Sequence, residues 1–372
     1  MIIQKLELIN FRTYDKLTLE LYPGCNIFYG ENAQGKTNIL EAIFSLCFSR
    51  SFRTNKEKEI IRFDNSFARA EGQFLSELDI KKEVVFHLDK VDGKTLLLSS
   101  KKLYRYSEMI GQFPVVLLSP EDYKISSGGP SERRNAIDIL LSQENSLYLK
   151  ELQKYSRILK QRNKILSDFN LKIQSKKIAL EPWNESFVES GSFIINFRRN
   201  FINEFNPVLK KVYQNLNLAN ESISLFYKSS VSQKNSDDTK ANFYKLLEKN
   251  FASECSRGIT LCGPHRDDYL FEINGKDLRI YGSRGQHKSA LLTLKLAEFY
   301  FLKEQMQETP IILLDDLFSD LDPKRKHNIL NLVQDIGQTF ITTTEKVSQN
   351  FPHLKMNEYF VQSGKVEQCH AE

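Results

Sequence analysis

The sequence is poor in the features that would place it outside the cell or in a membrane. Its five cysteines, Cys25, Cys47, Cys255, Cys262 and Cys369, form no Cys-x-x-Cys pair, which argues against a zinc site or a disulfide framework and suits a reducing compartment. No apolar run approaches the length needed to span a bilayer, and the start Met1-Ile2-Ile3-Gln4-Lys5-Leu6 alternates like a strand instead of reading as a signal peptide. A cytoplasmic protein is expected. Charge of one sign is lacking too: 52 Lys and Arg stand against 47 Asp and Glu, and a net charge of +5 tolerates an acidic polymer as partner without requiring one. With 372 residues the chain can bury a large core and form two lobes.

What is present is concentrated in one stretch. The apolar run at 25–29 leads into Gly30-Glu31-Asn32-Ala33-Gln34-Gly35-Lys36-Thr37, followed by a helical pattern at 38–47. This is strand, phosphate-binding loop, helix. Glycines at the two ends let the backbone curl so that successive N–H groups converge on a phosphate. Lys36 reaches the β- and γ-phosphates in such a loop, Thr37 offers its hydroxyl to Mg²⁺, and the helix N-terminus favours the anion.

A phosphate loop becomes an ATPase through a second strand. The fully apolar 311–314 reads as a buried parallel strand ending in Asp315-Asp316, so both carboxylates emerge at the carboxyl edge of the sheet, beside the loop. Asp315 is expected to hold the Mg²⁺ shell, and Asp316 lies where a carboxylate can orient or deprotonate the attacking water. Ser283-Arg284-Gly285-Gln286 precedes a strong helix at 287–304, which puts a hydroxyl, a glycine backbone and a helix N-terminus at one spot suited to an anion.

The rest of the chain frames these motifs. Strands are expected at 2–9, 17–21, 67–75, 82–88, 95–99, 115–118 and 259–262, the third to fifth forming an antiparallel sheet with Lys81, Lys82, Lys90, Lys94, Lys101 and Lys102 on its outward faces. From 131 to 180 the spacing is helical, Glu181-Pro182 is expected to interrupt it, and a second helix at 183–216 returns antiparallel to the first. Basic residues on the first helix, Arg157, Lys160, Arg162, Lys164, Lys172, Lys176 and Lys177, serve either DNA or solubility. The polar run 228–240 reads as a surface loop or linker, and a further helix is expected at 241–257. Arg12, in Asn10-Phe11-Arg12, could stack on a base or pair with phosphate; a lone surface arginine is the plain reading.

The order of phosphate loop, helical insertion, Ser-x-Gly-Gln, acid-tipped strand and Ser319-Asp320-Leu321-Asp322 resembles the ABC-type ATPase head of SMC-class chromosome and repair proteins. Asn10-Phe11-Arg12, Gly30 to Asn38, Ser119-Pro120-Glu121-Asp122, Gly263-Pro264-His265-Arg266-Asp267-Asp268, Ser283 to Gln286, Leu314-Asp315-Asp316 and Thr342-Thr343-Thr344 resemble the RecF family of bacterial recombination mediators over essentially the whole chain. The resemblance implies an α/β fold: an ABC-type, SMC-like P-loop head at 1–125 plus 258–372, with an antiparallel β subdomain, and an all-helical arm inserted at 126–257. It implies ATP and Mg²⁺ as ligands, with Gly30 through Asn38 and Arg12 on the nucleotide. Ser283, Gly285 and Gln286 would act in trans on the γ-phosphate of a second copy, with Asp322 sensing that partner site. It further implies an ATP-dependent homodimer that binds double-stranded and gapped DNA, acts with RecO and RecR, and helps load RecA on strands coated by single-strand-binding protein.

The chain departs from the wider ABC-type pattern at three places. Many ABC-type enzymes place Glu after the metal-binding Asp; Asp316 is one methylene shorter, so slow turnover is expected. Thr342 to Thr344 stand where transporters carry a histidine, and Ser119-Pro120 stands near the usual glutamine. A transporter subunit would lack the helical insertion, an SMC-like tether would need far longer arms, and a nucleotide-gated scaffold would differ only in degree of hydrolysis.

Overall fold

The computed structural model describes residues 1–216, 221–231, 238–316, 323–351 and 353–369. The chain forms two compact units, residues 1–122 with 291–372, and residues 123–290.

The first unit holds two sheets. One is antiparallel throughout, in the order Tyr14–Glu20, Ile2–Phe11, Phe67–Leu75, Lys81–Asp89, Gly93–Leu98, Lys101–Leu103. In Ile2–Phe11 the buried residues run Ile3, Leu6, Leu8 because the pairing register slips between Ile3 and Lys5, which resets the alternation. The other sheet runs Lys365–Cys369, Met356–Gln362, Cys25–Tyr29, Thr339–Thr343, Ile311–Leu314, Val115–Leu118, all parallel except the antiparallel edge strand Lys365–Cys369. Its inner strands Cys25–Tyr29, Thr339–Thr343 and Ile311–Leu314 are buried at nearly every position without alternation, as cover on both faces requires. Helix Lys36–Phe48 is buried on nearly every side and touches strands of both sheets, which explains why Ile39, Leu40, Ile43, Phe44 and Leu46 leave it no polar face. Thus the phosphate-loop helix is also the core of its unit.

The second unit contains helices Pro130–Glu144, Ser146–Ser167, Ile173–Asn215 and Thr239–Arg257 and a three-stranded antiparallel sheet, Lys276–Asp277, Asp268–Ile273, Ile223–Lys228. The two long helices do run antiparallel: Tyr148 meets Phe197, Tyr155 meets Phe187, and Arg162 donates to Asn184. Residues 258–290 fall in this unit, not with the head as expected, because Asp268–Ile273 pairs along its length with Ile223–Lys228. That second strand also lies within the segment expected to be entirely helical.

Two local expectations are corrected. Pro182 does not interrupt the helix, which continues through it from Ile173 to Asn215. A proline removes one bond to the carbonyl four residues earlier, and Ile178 is exposed, so its carbonyl can be hydrated. The break falls instead at 168–172, where the Asp168 carboxylate accepts from the Asn170 N–H at 2.9 Å and turns the chain. Residues 259–262 form no strand: Asn163 accepts from the Thr260 N–H and Glu254 from the Leu261 N–H, both at 2.8 Å, so side chains take the place of ladder partners. Of the run 228–240, residues 232–237 lie outside the described residues.

The Gly263 to Asp268 motif proves to be the organising centre of the second unit. Arg198, fully buried, donates twice to Asp138, once to the Tyr148 hydroxyl and once to the Pro264 carbonyl. Asp267 accepts from the Ser230 N–H and the Tyr227 hydroxyl, and Asp268 takes both Nε and Nη2 of Arg133. His265 lies between Thr260 O at 3.2 Å, an acceptor only, and the Tyr155 hydroxyl at 2.6 Å; it therefore donates through Nε2 and accepts at Nδ1, as a neutral ring. Burial lowers its pKa from 6.5 to about 4. Between these values the unfolded chain holds a proton that the folded one does not, so stability fades as pH falls from 6.5 towards 4. The His265 contribution to thermal melts across this window is a one-proton slope, a loss on the order of 3 kcal/mol, superposed on the opposite contributions of Glu144 and Glu298, whose pKa values burial raises to about 7. A His265→Asn variant should lack that slope; an unchanged slope would assign it elsewhere.

Candidate nucleotide site

The loop from Gly30 to Lys36 curls through backbone conformations that its glycines allow. Gly30 has φ +146° and a Cβ there would lie 2.3 Å from the Val361 carbonyl oxygen; Gly35 has φ +115° and its Cβ would lie 2.7 Å from Thr13 Oγ1. Ala33 also has positive φ, at 66°. Gln34 anchors the loop from outside, its carboxamide oxygen accepting from the Ser363 N–H at 2.7 Å. The loop is therefore held from both sides in the curled form that a phosphate cradle needs.

Lys36 closes it. Its ammonium donates to the carbonyls of Gly30 and Glu31, both at 2.6 Å, and burial lowers its pKa while Asp316 and Asp315 oppose that shift. Thr37 donates through Oγ1 to Asp315 Oδ1 at 2.8 Å, and Thr342 donates to the same oxygen at 2.7 Å. Burial raises the Asp315 pKa, and the two hydroxyls hold it down. Asp315 follows directly from strand Ile311–Leu314, and Asp316, the next residue, is exposed with φ +52° and donates its N–H to Thr342 Oγ1 at 2.8 Å. Thus the parallel sheet brings residues 37, 315, 316 and 342 together, as expected for a strand-edge site.

These groups line a cleft of about 720 Å³ with Arg12, Thr13, Asn32, Asn38, Arg53 and Phe63. Gly35, Lys36 and Thr37 line it as well, whereas Gln34 points its amide toward Ser363. Sequence reasoning missed Arg53 and Phe63. Phe63 is 88% exposed, an unusual position for a phenylalanine, and only its combination of exposure and cleft lining marks it. The donor set suits Mg²⁺: one hydroxyl and one carboxylate leave room for the waters and phosphate oxygens that this ion keeps. Among the described residues no group of three or more His, Cys, Asp or Glu could hold a metal by itself.

In the second unit, Ser283 caps helix Arg284–Met306 reciprocally: Ser283 Oγ accepts from the Gln286 N–H at 3.2 Å, and Gln286 Oε1 accepts from the Ser283 N–H at 2.9 Å. Gln286 Nε2 also donates to Glu221 at 2.9 Å. Gly285 sits in the first turn of that helix, and the Ser283 hydroxyl, which accepts from the Gln286 N–H, keeps its own proton for a further acceptor. Asp322, with Ser319 to Leu321, lies outside the described residues.

Of the basic residues named for a DNA face, several are structural. Arg162 is buried against Glu254, Asn184 and the Phe187 ring, Lys176 donates to the Leu166 carbonyl, and Lys94 is tied to Glu57 and the Ser49 carbonyl. Lys81, Lys90, Lys101, Lys102, Lys160, Lys164, Lys172 and Lys177 are exposed.

Comparison with known proteins agrees with this geometry. Residues 2–365 match the RecF/RecN/SMC N-terminal domain. The chain is 36% identical to the DNA replication and repair protein RecF of Alkaliphilus oremlandii, over 99% of this chain and all of that protein, and 39% identical to that of Staphylococcus carnosus, over 92% and 93%. It superposes with a TM-score of 0.90 on the solved structure of the recombination mediator protein RecF-ATP of the RecFOR pathway, at 33% identity, covering 99% of this chain and 97% of that one. An SMC head bound to the C-winged helix domain of ScpA, 16% identical with a TM-score of 0.59 over 100% of this chain and 98% of that one, shares the fold. The chain thus belongs to the RecF family and has the ABC-type, SMC-like ATPase head fold.

Proposed function

We propose that the protein is an ATP-dependent, DNA-binding recombination mediator of DNA repair and replication-fork maintenance, acting in the cytoplasm. The observation that carries this reading is the convergence of Lys36, Thr37, Asp315, Asp316 and Thr342 on one cleft. Gly30 through Asn38 cradle the triphosphate, Thr37 and Asp315 hold Mg²⁺, and Arg12 contributes to the nucleotide wall. The magnesium ion, when bound, neutralises phosphate charge. Asp316 orients and deprotonates the attacking water, and Lys36 stabilises charge on the phosphates.

Ser283, Gly285 and Gln286 of one copy engage the nucleotide held by another, so ATP joins two copies into a dimer that binds double-stranded and gapped DNA. Slow, DNA-stimulated hydrolysis removes the shared group and resets the clamp. Partnership with RecO and RecR, and loading of RecA on SSB-coated strands, are carried over from the family; the support is a relative solved with ATP in the RecFOR pathway. A short-armed tether or an ATP-gated scaffold is the alternative, and DNA binding that responds to ATP with negligible hydrolysis, with or without DNA, would favour it. DNA contacts fall to exposed lysines such as Lys101 and Lys102, which carry no base-reading motif, so binding should weaken steeply with salt.

Sedimentation with and without ATP and duplex tests the proposal. The wild type should double in mass with ATP, Lys36→Ala should remain single, and Ser283→Arg should bind ATP but fail to pair. A particle that stays single at saturating ATP, or a Ser283→Arg protein that still pairs, would overturn it.

A further inference from the structure

Glu41 follows Thr37 by one helical turn and its side chain is fully buried, yet it is neither a phosphate-loop residue nor a metal ligand in the reading above. Its carboxylate is shared by three side chains from two loops. Arg12 donates to it twice, Nε to Oε2 at 2.9 Å and Nη2 to Oε1 at 2.7 Å, a geometry that fixes the guanidinium plane. Ser51 Oγ donates to Oε1 and accepts from the Arg53 and Thr54 N–H groups at 2.9 and 3.2 Å, which orders the loop carrying Arg53. Arg53 Nη1 stands 3.6 Å from Oε2 and donates to Asn38 Oδ1 at 2.8 Å. Asn38 in turn donates to Thr13 Oγ1 at 3.0 Å.

The backbone shows that this arrangement is imposed. Arg12 has φ +53°, a left-handed conformation uncommon outside glycine, and its N–H donates to the Ile60 carbonyl at 2.7 Å while Nη1 donates to the Glu59 carbonyl. Both arginines line the same cleft as Lys36 and Thr37. One buried anion therefore holds two cations on the wall of a site built for a polyanion. Without it they would repel each other, and the loop at Ser51 would lose its anchor.

We infer that Glu41 is a positioning residue of the nucleotide site, acting through Arg12 and Arg53: it locks Arg12 in place and tethers Arg53 so that both present N–H groups to the phosphate-bearing ligand. Arg12 uses three of its five N–H groups on Glu41 and the Glu59 carbonyl, which leaves two for that ligand. Arg53, held more loosely and 43% exposed on its side chain, is the more adaptable of the pair. This rests on the cleft being a nucleotide site.

The test is equilibrium binding of ATP and ADP, read by fluorescence, with a melt of the nucleotide-free protein beside it. Glu41→Gln keeps the shape and removes the charge; ATP affinity should fall about tenfold, roughly the worth of one charge-assisted bond. The decisive reading is a double-mutant cycle with Arg12→Gln: the Glu41 effect should shrink to less than half in that background, because the group that Glu41 holds through two bonds is gone. Glu41→Asp, which keeps the charge on a shorter stem, should retain more affinity than Glu41→Gln and serves for the same cycle if the amide variant fails to fold. An effect of equal size in the Arg12→Gln background, or a lowered melting temperature with unchanged ATP affinity, would show a purely structural role and overturn the inference. A wild type that binds no ATP would instead overturn the assignment of the cleft.

Discussion

Replacing Asp316 by Asn is expected to lower ATP turnover by about 10²- to 10⁴-fold, the usual span for losing a general base, while leaving ATP affinity nearly unchanged. The two neighbouring carboxylates are not equivalent. Asp315 is buried and its Oδ1 already takes hydroxyl protons from Thr37 and Thr342, which suits a fixed anion beside a metal. Asp316 is exposed and held in left-handed backbone by its N–H bond to Thr342 Oγ1, so its side chain is the one presented at the cleft's edge. Single-turnover hydrolysis and nucleotide binding, measured together, separate the roles. Undiminished hydrolysis in Asp316→Asn would remove it as the base. A companion Asp316→Glu variant, one methylene longer, should hydrolyse faster than the wild type, and a rate no faster would count against the view that the short side chain keeps turnover slow.

How much of this was legible in the sequence follows from which forces each prediction used. Cys25–Tyr29, Phe67–Leu75, Val115–Leu118 and Ile311–Leu314 are strands within the expected bounds, because unbroken or alternating apolar runs report burial directly. The phosphate loop and Asp315-Asp316 could be read because their chemistry demands fixed spacing. Pro182 misled because its local penalty, about 3 kcal/mol, is outweighed by the packing of a helix that buries Phe187, Val188 and Ile195 beyond it. Residues 259–262 misled for the opposite reason: their apolar run is satisfied by Asn163 and Glu254 side chains, a tertiary fact that no periodicity encodes. The hub at Glu41 was equally invisible, since Arg12, Glu41, Ser51 and Arg53 meet only after the helix and two loops are in place.

The second unit should be the more sensitive to a single change in its interior, and Arg198→Met is the change expected to matter most. Arg198 is 2% exposed and satisfies Asp138, Tyr148 and the Pro264 carbonyl at once, with Asp267 at 3.9 Å. Removing it strands the Asp138 carboxylate, which also accepts from the Tyr148 hydroxyl, and leaves a buried carbonyl unpaired. Breaking a buried ion pair by deleting one partner costs about 3–5 kcal/mol, a large share of what holds any domain together. Denaturant unfolding should show the transition of this unit shifted by that amount. Lysine should not rescue it, because one ammonium cannot reproduce the fork that meets both Asp138 oxygens and the Pro264 carbonyl. Adding Asp138→Leu to Arg198→Met should recover part of the loss, since two apolar groups bury no stranded charge. ATP affinity should stay within about twofold, because the lining of the cleft comes wholly from the first unit. If Arg198→Met unfolds like the wild type, the Gly263 to Asp268 motif is not held by this network and must be accounted for by what it contacts outside the chain.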